Sequence, residues 1–290
     1  MLRYAGGVTK RANSVLPLGD VPDMDRAIAE AERFYAGVGL PCVFSIGAGA
    51  TEGLDAELSR RGYRRTGPTL IMAIRLADVR SAAEPAGVEP DPSEDWLRTW
   101  WQTEGIGHRA HDRIPPRAWA ERILTGVRAG YLHLPEGAVG RAVPQDKWLG
   151  IYCMAVAPHA RRRGLGTSVL RTLLAWGRTQ GAVYGYLAVT EANRAARALY
   201  EREGFTVVGR YHYRVKPEAE ATARGAAVTD RARPGRERSR QRPRLTDGDS
   251  MSRADSSRIS APLARSAAAC CRPWWAQNNS SPPEGRMARR

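Results

Sequence analysis

The stretch Val156-Ala157-Pro158-His159-Ala160-Arg161-Arg162-Arg163-Gly164-Leu165-Gly166-Thr167 decides how this sequence is read. Trp148 to Val156 before it is mostly apolar and suits a strand. After it, Thr167 to Gln180 places Val169, Leu170, Leu173, Leu174 and Trp176 on one helical face. Strand, tight basic turn and helix thus follow one another. Glycines at 164 and 166 let the backbone turn and approach a ligand closely. The N–H groups of residues 162–167 then point outward at a helix N-terminus, which suits a pyrophosphate, and Arg161, Arg162 and Arg163 add counter-charge. Gly-x-Gly alone also occurs in ordinary basic turns, so its surroundings must decide.

Outward from this turn, residues 91–216 read as one α/β unit. Pro116 to Leu124 is a short helix with proline in its first turn, where a missing N–H costs nothing. Gly130–Leu134 and Ala138–Val143 are extended segments around the turn Pro135-Glu136-Gly137. Beyond the helix come a strand over Val183–Val189, a helix over Asn193–Glu203 and a strand over Phe205–Val215. Alternating elements of this kind predict helices layered on a mixed, partly parallel sheet.

Arg-x-x-Gly-x-Gly after a Val-x-Pro strand end, then strand, Asn, helix and Leu199-Tyr200-Glu201-Arg202-Glu203-Gly204-Phe205, resembles the GNAT family of acetyl-CoA-dependent N-acetyltransferases. The resemblance covers about residues 91–216 and is strongest from 148 to 215. It implies a GNAT-like acyl-CoA transferase fold and acetyl-CoA as co-substrate. It also implies roles. Arg161, Arg162, Arg163, Gly164, Leu165, Gly166 and Thr167 would hold the pyrophosphate. Met154-Ala155-Val156 would splay from Tyr186-Leu187-Ala188 and pair with the pantetheine arm. Asn193 would contact the cofactor, and Tyr200 would be the general acid for the departing thiolate.

Direct transfer needs a neutral amine, a positioned thioester and a strand N–H for the oxyanion, and no metal. A phenol of pKa near 10 can protonate a thiolate whose thiol titrates near 8.5 against a modest driving force. The amine's base is not legible. Ile151-Tyr152-Cys153-Met154 carries no carboxylate, which leaves Glu104, His108 and His111 as candidates on the acceptor side. Cys153 would allow a covalent acyl-enzyme, but a cysteine inside an apolar strand reads as packing.

Residues 1–79 align with the later region at an offset of 142: Gly39–Phe44 under Gly181–Tyr186, and Leu58–Tyr63 under Tyr200–Phe205. Strand, loop, helix and Gly-aromatic recur in order, which points to an internal repeat. At that offset Arg161, Gly164, Gly166 and Tyr200 become Gly19, Pro22, Met24 and Leu58, so the first copy has neither cradle nor acid. Arg3-Tyr4-Ala5-Gly6-Gly7 and Lys10–Val15 resemble a two-domain actinobacterial-type GNAT branch in which a degenerate copy precedes the active one. Residue 1 corresponds to 143, so the opening elements of a full copy have no counterpart, and an exposed sheet edge with lower stability is expected in this half.

The expected organisation is therefore a degenerate half-domain at 1–79, a linker at 80–90, a catalytic domain at 91–216 and a disordered tail at 217–290. The tail holds four Val, Leu or Ile residues, no Phe, and 15 Arg against 8 acids. That is too little apolar surface to offset the entropy of ordering. The chain's 45 basic and 30 acidic residues give +15, and all but Lys10, Lys147 and Lys216 of the basic ones are Arg. So strong a skew fits GC-rich coding, and nucleic acid is not the expected partner; a small-molecule or peptide amine is. No apolar run is long enough for a membrane helix, no leader-like segment opens the chain, and Cys42, Cys153, Cys270 and Cys271 lack disulfide or zinc spacing. These features suit a reducing cytoplasm. A catalytically silent acetyl-CoA-binding regulator, or an Arg-rich nucleic-acid binder on the same scaffold, stays open at this point.

Overall fold

The computed structural model of the chain describes residues 1–79, 86–105 and 114–217. The tail expectation, and the base candidates His108 and His111, lie outside the described residues. In chain order the elements begin with α1 (Met24–Gly37), β1 (Val43–Gly47), α2 (Leu54–Arg60) and β2 (Arg64–Arg75). There follow β3 (Val88–Glu89), α3 (Glu94–Trp100), α4 (Pro116–Thr125), β4 (Gly130–Leu134), β5 (Ala138–Gln145) and β6 (Trp148–Val156). The last four are α5 (Leu165–Thr179), β7 (Tyr184–Thr190), α6 (Arg194–Arg202) and β8 (Thr206–Val215).

All eight strands join in one mixed sheet of order β1-β8-β2-β7-β6-β5-β4-β3, parallel only between β6 and β7. This is the mixed α/β architecture expected from the alternating pattern. The strands of residues 1–79 do not form a sheet of their own. β8 lies between β1 and β2, pairing Val43 with Val215 on one side and Arg64 with Val215 on the other. β1 is the last strand on this side of the sheet. Val15 covers the outer side of β1, donating to Val43 O at 2.7 Å and accepting from Ser45 N at 2.9 Å. Val88–Glu89, read from sequence as linker, pairs with Leu132 and Tyr131 of β4 at the far edge.

Pattern explains the layers. α5 buries Val169, Leu170, Leu173, Leu174 and Gly177, a stripe repeating every three to four residues. A side chain at Gly177 would overlap Leu149 of β6, so the helix lies closely on the sheet. Leu70 to Ile74 of β2 are buried without alternation, as expected of a central strand covered on both faces. One face carries α5 and α6 over Leu149, Ile151, Leu187 and Val189. The other carries α3 and α4 over Tyr131, Val139, Val143 and Ala155. α1 and α2 enclose Phe44, Ile46 and Tyr63, and the segment Ala5–Ala12 packs on Trp119 of α4.

The helix after the basic turn starts at Leu165, two residues earlier than the apolar stripe suggests, because Gly164 at φ +79° opens it without needing a side-chain cap. Asn193 stands just outside α6 as its N-cap, its side-chain oxygen accepting from Ala196 N at 3.1 Å.

Candidate functional site

β6 and β7 run together only from Trp148 to Ile151 and from Tyr184 to Leu187. Beyond that, Ala188 to Thr190 continue against β2, while Ala155 and Val156 continue against β5. Among the described residues, no strand lies beside the β7-facing flank of Tyr152–Val156. The sequence expectation placed the parting at Tyr186-Leu187-Ala188; Tyr186 and Leu187 are still paired, with Gly150 and Ile151, so the gap opens after them.

A bulge in β6 accompanies the parting. Arg141 pairs with Tyr152 and Val139 with Ala155, so Cys153 and Met154 together face the single residue Gly140. Cys153 has φ +53°, a left-handed conformation that costs a non-glycine residue energy and is held only by surroundings that fix it. Gly140 has no room for more: a Cβ there would come within 2.5 Å of Val169 Cγ1 and 3.0 Å of Met154 Sδ. Nothing in the sequence marks this bulge except a glycine inside a strand.

The turn after β6 is built as a cradle. Arg162 at φ +61° and Gly164 at φ +79° bend successive amides toward one side. The first backbone bond of α5 runs from Ser168 N to Gly164 O at 3.0 Å. Among the described residues, the amides of Arg162 to Thr167 have no acceptor, which leaves six donors at the start of a fifteen-residue helix. Arg161, Arg162 and Arg163 are exposed there, and Arg161 Nε donates to Val156 O at 3.1 Å, tying the turn to the end of β6. Gly166 lets α6 approach, since a Cβ there would be 3.2 Å from Leu199 Cδ1 and 3.6 Å from Val156 Cγ2. Arg202 Nη2 donates to Thr167 Oγ1 at 3.3 Å, and Arg171 holds Glu203 by two bonds of 2.7 and 3.1 Å, which locks α5 to α6.

Tyr200 is the buried residue of α6, 8% exposed, with its ring 6.0 Å from that of Phe205. Burial first, and the negative charge of Glu104 second, push its phenol up to about 12. Glu104 sits in the π turn Trp101–Gly105 that continues α3. It stays open to solvent, yet the protein around it raises its carboxyl above the ordinary glutamate value, partly opposed by the charge of Arg161. Tyr200 belongs to the α5/α6 face and Glu104 follows the α3/α4 face. Tyr200 is nonetheless within electrostatic reach of Glu104.

The predicted residues thus fall into one neighbourhood: Met154–Val156 along the gap, Arg161–Thr167 at its end, Tyr200 beside it, and Asn193 at the start of the helix that carries Tyr200. Asn193 is used as a helix cap, with its oxygen committed to Ala196 N. Sequence reasoning missed the Cys153 backbone, the Arg202–Thr167 and Arg171–Glu203 ties, and the phenol pair Tyr152–Tyr186, whose oxygens are 2.6 Å apart beside the bulge.

The amide cradle at a helix start suits phosphate oxygens, and the unpaired flank of β6 suits an extended amide chain. Residues 1–214 match the protein family described as "Probable histone acetyltransferase Rv0428c C-terminal". The chain is 31% identical over 233 residues to "Uncharacterized N-acetyltransferase YobR" of Bacillus subtilis (strain 168), covering 74% of this chain and 89% of that protein. This chain belongs to the GNAT family of N-acetyltransferases. It is also 28% identical over 227 residues to "Probable histone acetyltransferase Rv0428c" of Mycobacterium tuberculosis (strain ATCC 25618 / H37Rv), covering 75% of this chain and 66% of that one. Among solved structures, a "GCN5-related N-acetyltransferase from Kribbella flavida" superposes with a TM-score of 0.51 at 18% identity, covering 73% of this chain and 84% of that chain. That likeness is one of fold. As a GNAT protein the chain is an acyltransferase, and the donor used across GNAT enzymes is acetyl-CoA. Among the described residues, no helix is long and apolar enough to cross a membrane.

Proposed function

We propose that this GNAT protein transfers the acetyl group of acetyl-CoA directly to a primary amine, in the gap between β6 and β7. The observation that carries the reading is that gap, with six amides without acceptors at one end; Tyr200, within electrostatic reach of Glu104, supports it. The amides of Arg162–Thr167, with Arg161 to Arg163, would hold the pyrophosphate, and the free flank of Met154-Ala155-Val156 the pantetheine arm. Asn193 would act there through the start of α6 that it caps. Acetyl-CoA supplies the activated acetyl thioester.

The chain's own groups then have separate tasks. Glu104 accepts the proton of the acceptor ammonium, a task to which a carboxyl raised above the ordinary glutamate value is better suited. An amide on the flank of β6 that β7 leaves uncovered, beyond the bulge, donates to the carbonyl oxygen as negative charge develops. Tyr200, kept neutral by burial, donates its proton to the sulfur as the carbon–sulfur bond breaks. The ammonium passes one proton to Glu104 to become the attacking amine, the nitrogen's second proton leaves to bulk water as the tetrahedral adduct collapses, and the thiolate gains one from Tyr200. Glu104 then gives its proton to water and Tyr200 regains one from it, so ammonium and acetyl-CoA give amide, CoA thiol and one released proton. The first half, on the tandem reading, carries a degenerate copy whose β2 stands where β8 stands in the second. Gly19, Pro22, Met24 and Leu58 give it no cradle or acid. The boundaries 1–79 and 91–216 then mark ancestry, and both parts fold into one sheet.

The test is release of CoA thiol from acetyl-CoA across a panel of small amines and peptide N-termini, for wild type and Tyr200→Phe. The reading expects turnover with at least one amine and a kcat lower by about 10- to 100-fold in Tyr200→Phe, with KM for acetyl-CoA little changed. No thiol release with any amine, or an unchanged kcat in Tyr200→Phe, overturns it.

A further inference from the structure

A second cavity lies in the first half of the chain, away from the gap. It has a volume of about 210 Å³, opens to solvent on one side and is lined by the loop Val15–Val21, the start of α1, β1 and the start of α2. Its wall is apolar: Val15, Ile28, Ala31, Phe44 and Leu54 are each at most 8% exposed. Met1 and Leu2, 56% and 42% exposed, stand at its mouth. An apolar space of ~150 Å³ is enough for a benzene ring, so this half-open one has room for a ring with a short substituent or a short alkyl chain reaching toward solvent.

Its mouth is acidic in a protein of net charge +15. Glu30 lines it directly, Asp20 adjoins Val21, Asp23 and Asp25 flank Met24, and Glu52 follows Thr51. All five carboxylates are exposed. Glu30 is paired with Arg26 at 3.0 Å, Asp25 with Arg61, and Asp23 caps α1 by accepting from Arg26 N. Among the described residues, Asp20 and Glu52 have no ion pair or side-chain hydrogen bond. The one other cation at the mouth, the Met1 ammonium, is turned to Leu16 O at 3.0 Å. Thr51 Oγ1 donates to Gly19 O at 2.8 Å, pinning the Asp20 loop beside Glu52. Phosphates are disfavoured here: the α1 N-terminus is already capped by a carboxylate, and no arginine cluster or glycine pair stands in the loop.

We propose that this cavity binds a hydrophobic amine, with the apolar body inside and the ammonium at the mouth between Asp20 and Glu52. The same site rejects the N-acetylated form, which is neutral and larger. The inference stands on this cavity's apolar lining and on carboxylates adjoining that lining in the chain; should the protein acetylate such amines, the site would sense free substrate against product.

The test is titration of the full chain, without acetyl-CoA, with phenethylamine, 2-phenylethanol and N-acetylphenethylamine, followed by amide chemical shifts. Phenethylamine should bind saturably with shifts centred on α1, β1 and the Val15–Val21 loop. Ala27→Leu, on a half-buried lining position of α1, fills the space and should weaken binding by about tenfold. Asp20→Asn with Glu52→Gln, on exposed side chains that folding does not need, should weaken phenethylamine by about threefold and leave 2-phenylethanol unchanged. If Ala27→Leu fails to fold, the charge variant decides. No binding of phenethylamine, equal binding of the alcohol or the acetylated amine, or unchanged affinity in the charge variant overturns the proposal. Each outcome is independent of acetyl-CoA turnover.

Discussion

Gly140→Ala joins packing to the site in one substitution. The added methyl would come within 2.5 Å of Val169 Cγ1, 2.8 Å of Leu173 Cδ1 and 3.0 Å of Met154 Sδ, where ordinary carbon contacts are ~3.5–4.0 Å. Val169 and Leu173 are both fully buried, and the Gly140 carbonyl accepts from Trp96 Nε1 at 3.0 Å, so neither side can yield freely. Overpacking of this kind costs about 1–3 kcal/mol. For roughly 200 ordered residues that corresponds to a Tm lower by about 2–12 °C. The methyl also presses on Met154 in the bulge, so kcat should fall further than the loss of folded protein explains. Gly164→Ala is the matched comparison: its Cβ would meet nothing within 4 Å, but φ is +79°. It should cost only about 1–2 kcal/mol of backbone strain and act on acetyl-CoA affinity through the cradle. Calorimetric unfolding and thiol-release kinetics on both variants separate the two causes. A Gly140→Ala protein with wild-type Tm and kcat would refute the close packing of bulge and α5.

Three further outcomes follow from particular groups. Glu203→Gln should lower stability by about 1–2 kcal/mol, less than a fully buried pair because Arg171 is 36% exposed while Glu203 is 6% exposed; chemical denaturation measures it. Asp55 is held down to about 2 by hydrogen bonding to Arg214, against burial and with help from His212. Its folded value lies below the ordinary 3.8, so its contribution is present above pH 4 and is lost as the pH falls toward 2. Asp55→Asn should flatten that part of the acid unfolding curve. The acid limb of kcat/KM should lie above the ordinary glutamate value, because the protein packed around its carboxyl raises Glu104, and Glu104→Gln should lower the rate and remove that limb.

How much of this was legible in sequence depends on the kind of signal. The apolar stripe from Val169 to Leu174 and the strand from Trp148 to Val156 act through local periodicity, so the helix and strand lie where that pattern puts them. The cradle was legible because glycine at 164 and 166 and three arginines have few other joint explanations. The insertion of β8 between β1 and β2 was not legible, since pairing across more than 130 residues leaves no mark on local pattern. Nor was the parting of β6 from β7 located to the residue, because it depends on a bulge whose left-handed residue is a cysteine and not the glycine that such a backbone favours. Glu104 was legible only as one of three candidate bases; its place in the π turn after α3 and its electrostatic reach to Tyr200 leave no mark in local sequence.

The most direct measurement of the central claim is calorimetric titration of acetyl-CoA into the wild-type chain and into Gly166→Leu. The leucine would collide with Leu199 and Val156 at the mouth of the gap and displace the amide cradle. Saturable binding near one site per chain in the wild type, weakened by about tenfold or more in a Gly166→Leu protein that still unfolds cooperatively, is the predicted result. Equal affinity in both proteins would mean that acetyl-CoA is not held by Arg161–Thr167 between β6 and β7.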